Sequence, residues 1–277
     1  TFNAMPMLAR VALSRAGMWH KRCVSAVAHA PVALGCVGRR AMSSGAKTYE
    51  VVVFGGNGFV GSQVCKSLVG MGLKVAAINR SGAPREKEDW MEGVDYIAAD
   101  VFEPESWRSV MHGAVSVVAA IGGFGNYEFM KKVNGEANIL VAEEAAAMGV
   151  ERMVFVSASF PPFPATIPLR GYIEGKTAAE EVVREKFPST HTILKPSVVY
   201  GSQKGAHPFI AGIRALGPMQ DPLMSKTPLQ NFSGLPVIGG VFLPWSPVEA
   251  VARAAAQGAV RQLDKATLGP HDIAKFK

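Results

Sequence analysis

Tyr172 and Lys176 stand four residues apart in the run Tyr172-Ile173-Glu174-Gly175-Lys176. In a helix that spacing puts both side chains on one face. A phenol with its ordinary pKa of about 10 exchanges its proton poorly at neutral pH. An ammonium group one helical turn away favours the phenolate, and in a cofactor site it also offers donors to a ribose. The combination suits proton transfer coupled to hydride transfer at a carbonyl or an alcohol. Upstream, Val154-Phe155-Val156-Ser157-Ala158-Ser159 ends a strand-like run with two serines. Either Ser157 or Ser159 could polarise a substrate oxygen there. A Tyr/Lys pair at this spacing is also common on ordinary surface helices, so its meaning depends on where the helix sits in the fold.

A second constellation bears on that. Val51-Val52-Val53-Phe54-Gly55-Gly56-Asn57-Gly58-Phe59-Val60-Gly61 reads as a buried strand, a glycine-rich turn and the start of a helix. Successive β-branched residues suit a central parallel strand covered on both faces. The glycines allow a tight turn and bring bare N–H groups up to an anion, which then faces the positive end of the helix dipole. Phe59, Val60, Val64, Leu68 and Met71 recur at helical spacing behind the turn, which separates this run from an isolated glycine string. The arrangement predicts a dinucleotide pyrophosphate on Gly55, Asn57, Gly58, Phe59, Val60 and Gly61. An ordinary strand-to-helix turn is the plainer alternative. The second strand ends Ala77-Ile78-Asn79-Arg80-Ser81, where an NAD-preferring domain usually places an acidic residue on the ribose hydroxyls. Arg80 offers a guanidinium suited to a 2′-phosphate. NADP(H) is therefore expected over NAD(H), with NAD(H), and a merely solvated arginine, as the alternative.

These residues require a scaffold of alternating elements. Strands are predicted over 50–54, 74–79, 95–100, 115–121, 152–157 and 191–199, with helices near 59–71, 105–112, 133–148 and 172–187. The alternation predicts an α/β fold: a doubly wound parallel sheet of Rossmann type. The Tyr/Lys pair would then open the helix after the fifth strand, at the ligand edge. From Gly201 to Trp245 the texture turns rich in Pro, Gly, Met and Phe. The segment 208–245 carries Phe209, Ile213, Met219, Phe232, Phe242 and other apolar residues. Part of this set must cover the sheet edge. The rest is expected to form an apolar contact face for a quinone-like ligand, a membrane surface or a partner subunit. A last helix is signalled by Ser246 as cap, Pro247 at its first position and Glu249 completing a capping box. The expected organisation is an organelle transit peptide over 1–46, a dinucleotide-binding domain over 47–201 and a short C-terminal lobe over 202–277 packed on the same domain.

Charge supports the first of these boundaries. Seven basic residues and no acidic one precede Glu50, and they account for the whole formal charge of +7. The remainder is neutral, so the basic balance does not argue for nucleic acid. An Arg-bearing, acid-free, Ala/Ser-containing N-terminus reads as a leader for a mitochondrion, delivering the chain to the matrix or the matrix face of the inner membrane. A plastid is the alternative, and a disordered basic tail is the plainer reading. No uncharged apolar run reaches the roughly 18–20 residues that would cross a bilayer. Cys65 alone lies beyond the leader, and the six histidines show no metal-ligand spacing, so no metal site is expected.

Together these features resemble the extended or atypical branch of the short-chain dehydrogenase/reductase superfamily, from about Tyr49 to Gly201. The resemblance rests on the Gly55/Gly58/Gly61 loop, Asp100 after the third strand, Gly122-Gly123 after the fourth and Lys195-Pro196-Ser197-Val198-Val199-Tyr200-Gly201 after the sixth. It implies that Asp100 and Val101 lie near the adenine, Ile121 and Gly122 near the adenosine ribose, and Pro196 and Val198 near the nicotinamide. It also implies a catalytic set of Ser157 or Ser159 with Tyr172 and Lys176. Asn79-Arg80-Ser81-Gly82 and Phe54-Gly55-Gly56-Asn57-Gly58-Phe59 look like a mitochondrial branch tied to ubiquinone (coenzyme Q) biosynthesis. Residues 179–188 and Lys195-Pro196-Ser197 are similar to a nucleotide-binding accessory type found in respiratory complex I. The second likeness implies nucleotide binding without turnover. The 77 residues after Tyr200 are fewer than a sugar-nucleotide epimerase uses for its substrate lobe.

Overall fold

The computed structural model describes residues 47–84, 87–160, 167–201, 244–261, 263 and 266–277. The expected leader over 1–46 and residues 208–243 of the expected contact face lie outside the described residues.

Seven of the strands form one parallel sheet. They are β1 Val51–Phe54, β2 Val75–Asn79, β3 Val94–Ala98, β4 Ser116–Ala119, β5 Arg152–Val156, β6 His191–Leu194 and β9 Thr267–Leu268. Their order across the sheet is β3-β2-β1-β4-β5-β6-β9. A second pair joins β7 Val199–Tyr200 to β8 Ser246–Pro247, also in parallel. The doubly wound α/β expectation is borne out. Alternation within β1 explains the two-sided core. Val51 and Val53 enter a cluster with Val64, Cys65 and Leu68, whereas Val52 and Phe54 enter the opposite one with Val141, Ala145 and Val183. Successive strand side chains point to opposite faces, so a strand covered on both sides must be apolar throughout.

One face is covered by α1 Phe59–Gly70 and α5 Val248–Val260. The other is covered by α3 Ala137–Ala147 and α4 Arg170–Lys186. The order reverses between β1 and β4, which opens a crevice at the carboxyl ends of those strands. Each candidate residue for binding or chemistry lies at or after the carboxyl end of a strand, or on a helix that comes after one.

Several local expectations differ from the structure. Residues 105–112 form two short 3₁₀ turns, Pro104–Ser106 and Arg108–Met111, and no single helix. Trp107 breaks between them at φ −136°, turning its ring into the core against Phe54 at 4.8 Å, edge to face. The helix expected from 133 starts earlier. Asn126 accepts a hydrogen bond from Phe129 N at 2.9 Å and caps α2 Tyr127–Lys131, and one π turn, Lys132–Glu136, leads into α3. The sixth strand stops at Leu194 because Pro196, which has no N–H, comes soon after. The capping box at Ser246 does not form: the cap position falls on Pro247, and Ser246 Oγ is buried with no partner among the described residues. β9 lies outside the expected strands. It pairs Ile193 with Thr267 and Leu194 with Leu268, and α5 covers the same sheet, so the described C-terminal residues complete the main layer structure.

Candidate functional site

The glycine loop is shaped by close approach. Gly55 adopts φ +77°, and a Cβ there would lie 2.9 Å from the Ala120 carbonyl oxygen. A Cβ on Gly61 would collide with the Gly55 carbonyl, so the helix can seat on the loop only without a side chain. No side chain caps α1 at Gly58, and its first turn carries no acidic residue. That turn therefore presents its positive end to an anion. Asn57 ties the loop to the turn after β2 through Nδ2, which donates to Ala83 O at 3.0 Å. Asn79 organises that turn. Its Oδ1 accepts from Ser81 N, Ser81 Oγ and Gly82 N at 3.1, 2.8 and 2.8 Å. Asn79 Nδ2 is buried without a partner among the described residues, an unfilled donor at the rim of the crevice. Arg80 is exposed, its guanidinium unpaired among the described residues.

After β3, Asp100 Oδ1 accepts from Phe102 N at 3.0 Å. Trp107 Nε1 donates to the Asp100 and Val101 carbonyls at 3.0 and 3.3 Å, so a fully buried indole sets the course of this turn. After β4, Asn134 Oδ1 accepts from Gly123 N at 3.2 Å while its Nδ2 donates to Gly123 O and Met130 O, both at 2.8 Å. Asn138 Nδ2 reaches the Ile121 carbonyl at 3.3 Å. These two buried asparagines hold the loop 121–123 from the helix beneath it. Neither is among the residues expected from the sequence, although their i, i+4 spacing on an apolar helix is visible there. Pro196 is buried and Val198 exposed after β6.

Tyr172 and Lys176 are brought together on the first turns of α4. Lys176 is 2% exposed, with Nζ 6.0 Å from the Tyr172 ring centroid. Nζ donates to the Ile121 and Val156 carbonyls, both at 2.8 Å, bridging the ends of β4 and β5. Glycines permit this depth. A Cβ on Gly175 would sit 2.7 Å from Gly135 N, and one on Gly171 would collide with the Tyr127 carbonyl, so α4 lies directly against the backbone of α2 and the π turn. Burial pushes the Lys176 ammonium down to about 7, with Glu180 pulling the other way. Burial pushes the Tyr172 phenol up to about 12. Raised so far, the phenol stays protonated and is a weaker acid than an ordinary tyrosine, the reverse of the effect expected from the ammonium one turn away, because burial outweighs it.

The serines are engaged elsewhere. Ser157 Oγ donates to Glu180 Oε1 at 2.6 Å and Ser159 Oγ to the Lys195 carbonyl at 2.7 Å. Glu180 also receives Arg184 Nη2 and Lys195 Nζ, each at 2.8 Å. Burial alone would raise this carboxyl, but the hydrogen bonds from Lys195, Ser157 and Arg184 outweigh it and hold the group below its usual range. A buried charge needs this degree of pairing. Glu180 is absent from the sequence-based set, yet it stands four residues after Lys176 on the same helix face. Among the described residues no cluster of His, Cys, Asp or Glu is arranged to hold a metal.

The fold and the glycine cradle define a dinucleotide-binding protein. The chain belongs to the NAD(P)H-binding family, which it matches over residues 55–213. It is 40% identical over 158 residues to an uncharacterised chloroplastic protein of Arabidopsis thaliana, covering 57% of this chain and 53% of that one. It is 40% identical over 78 residues to MIOREX complex component 2 of Saccharomyces cerevisiae, covering 26% and 28%. It is 29% identical over 155 residues to a 2-alkyl-3-oxoalkanoate reductase of Stenotrophomonas maltophilia, covering 54% and 46%. The chain thus spans about half or less of the length of these relatives. Among solved structures, MoeE5 in complex with UDP-glucose and NAD superposes with a TM-score of 0.56 at 21% identity, over 79% of this chain and 74% of that one. WbmH of Bordetella bronchiseptica in complex with NAD+ gives 0.54 at 14%, over 77% and 72%. At such identities the likeness speaks for the fold.

Proposed function

We propose that this chain is an NADPH-preferring carbonyl reductase of short-chain dehydrogenase type, with Tyr172 as proton donor and Lys176 as the cation that steadies the phenolate. The observation that carries the reading is Lys176 Nζ, buried between the ends of β4 and β5 and one helical turn from Tyr172. A lysine is desolvated at a strand edge at considerable cost, and that cost is characteristic of functional sites.

The described residues fit the cofactor. Gly55, Asn57, Gly58, Phe59, Val60 and Gly61 would hold the pyrophosphate, and Arg80 the 2′-phosphate. Asn79 Nδ2, a buried donor without a partner among the described residues, would serve a phosphate or ribose oxygen. Asp100 and Val101 would border the adenine, Ile121 and Gly122 the adjoining ribose, and Pro196 and Val198 the nicotinamide side. A bound reduced nicotinamide would supply the hydride for the carbonyl carbon, and Tyr172 would give its proton to the carbonyl oxygen as the π pair moves there. Lys176 holds positive charge beside the resulting phenolate and offers its remaining donor to the ribose. The serine role is open to Ser157 or Ser159 only if one of them releases its present acceptor. A quinone as the carbonyl acceptor, in ubiquinone biosynthesis or the complex I neighbourhood, is the substrate class that the sequence resemblance implies. The basic, acid-free composition of residues 1–46, which serves either organelle, and the chloroplastic relative support an organelle, with a mitochondrion preferred and a plastid as the alternative.

A second reading has its own support: both serine protons are committed, and Tyr172 lies far above neutrality. A chain of that kind would bind nucleotide as a structural part of an assembly, as the naming of one relative after a complex also suggests. Titration and turnover of the purified chain separate the two. NADPH should bind at least tenfold tighter than NADH, by the order of one charge-assisted contact, and Arg80→Ala should erase the difference. NADPH oxidation with a carbonyl acceptor should vanish in Tyr172→Phe while NADPH affinity stays nearly unchanged. Binding without turnover in the wild-type chain would favour the structural reading.

A further inference from the structure

Phe124 lies flat on the Tyr172 ring, with centroids 5.0 Å apart and planes 7° apart. It is nonetheless 66% exposed, so the stack supplies much of what holds it. Gly123 and Gly125 flank it. The Phe129 ring packs under both glycines, at 3.1 and 2.8 Å from where their Cβ atoms would be. Phe160 meets Tyr172 edge-on at 6.0 Å. Gly122, at the start of this loop, faces Lys176 Nζ. The surroundings of the Tyr172 ring are therefore aromatic, and a place that accepts a flat six-membered ring already exists on its face.

Resting on the reductase reading, we propose that this place is the subsite for the substrate ring and that Phe124 is its internal occupant. A flat conjugated ring carbonyl would displace Phe124 and stack on Tyr172, bringing its oxygen toward the phenol. Flanking glycines give the loop the backbone freedom to withdraw. Giving up one ring–ring contact on withdrawal lowers apparent affinity by about two- to tenfold.

The test measures menadione binding to the NADP+-loaded chain by calorimetry, in wild type, Phe124→Ala and Tyr172→Phe, with NADPH affinity measured alongside. Phe124 is exposed, so its truncation leaves the fold intact. Phe124→Ala should bind menadione about two- to tenfold tighter with NADPH affinity unchanged, and ethyl acetoacetate, which has no ring, should show no gain. Tyr172→Phe should keep menadione binding, because the ring remains, and lose turnover. Menadione affinity that is unchanged or weaker in Phe124→Ala overturns the subsite, as does a gain confined to NADPH. A gain in Phe124→Ala with no turnover in any variant leaves the subsite standing and overturns the reductase reading instead.

Discussion

Burial of Lys176 makes the stability of the chain depend on pH. The ordinary value of the ammonium is 10.5, and burial brings it to about 7 in the folded chain. Between those values the unfolded chain holds more protons, so stability through this group rises as pH increases from about 7 toward 10.5. Tyr172 acts oppositely, but only from its ordinary value of 10 up to about 12, where the folded chain keeps its proton longer. The buried Cys65 thiol, pushed up from 9.0 to about 12, acts as Tyr172 does, so the window from about pH 7 to just below 9 belongs to Lys176. Thermal melting should show wild type gaining on Lys176→Met across that window, and a constant difference between them would contradict the buried site. Catalysis has the reverse slope. If charged Lys176 steadies the phenolate, carbonyl reduction should fall as pH rises through the lysine's value in the loaded enzyme. Stability gained and activity lost over one pH range would be the signature of a single desolvated ammonium.

At the scale of elements, the glycines of α4 do what a side chain could not. Gly175 approaches the Gly135 backbone, and a methyl group there would meet N and C atoms that cannot rotate away. Gly175→Ala should push α4 outward, cost about 1–3 kcal/mol by overpacking and lift Lys176 from the Ile121 and Val156 carbonyls. Denaturant unfolding and the turnover assay read both effects; unchanged stability would mean that the helices are not in this contact. The same elements show which parts of the fold are legible in the sequence. β1, α1 and the parallel alternation follow from apolar runs and strand–helix spacing, signals carried by many residues at once. The break at Trp107 is not legible, because its cause is tertiary: an indole that pairs with Phe54 and reaches two carbonyls of the preceding turn. β9 is two residues long and exists by pairing with β6, so no local pattern announces it. The Tyr172/Lys176 pair is legible from spacing. The engagement of the serines is not, since their acceptors Glu180 and Lys195 come from later elements.

At the scale of the molecule, the crevice lies on the seam between two halves of one sheet, β3-β2-β1 and β4-β5-β6-β9. The residues assigned to the nucleotide stand on both sides: the loop after β1 and the turns after β2 and β3, then the ends of β4 and β6 with α4. A ligand that spans such a seam binds only the folded chain, whether or not it reacts. Occupancy at about 100 times its Kd contributes about 2.7 kcal/mol. For a domain of this size each kcal/mol moves the midpoint by about 2–4 °C, so NADPH should raise Tm by about 5–11 °C. Arg80→Ala should reduce that shift to the level NADH gives, while leaving the unliganded Tm where it was, because Arg80 is exposed. The catalytic and structural readings both require this shift, and its absence with either nucleotide would remove the ground they share. They differ in the fate of the bound nucleotide. A carbonyl acceptor added to the NADPH-loaded chain should consume the reduced nucleotide if Tyr172 gives up its proton, and the melting point should drift toward that of the oxidised complex. In a chain that keeps its nucleotide as a structural brace, the midpoint should stay fixed.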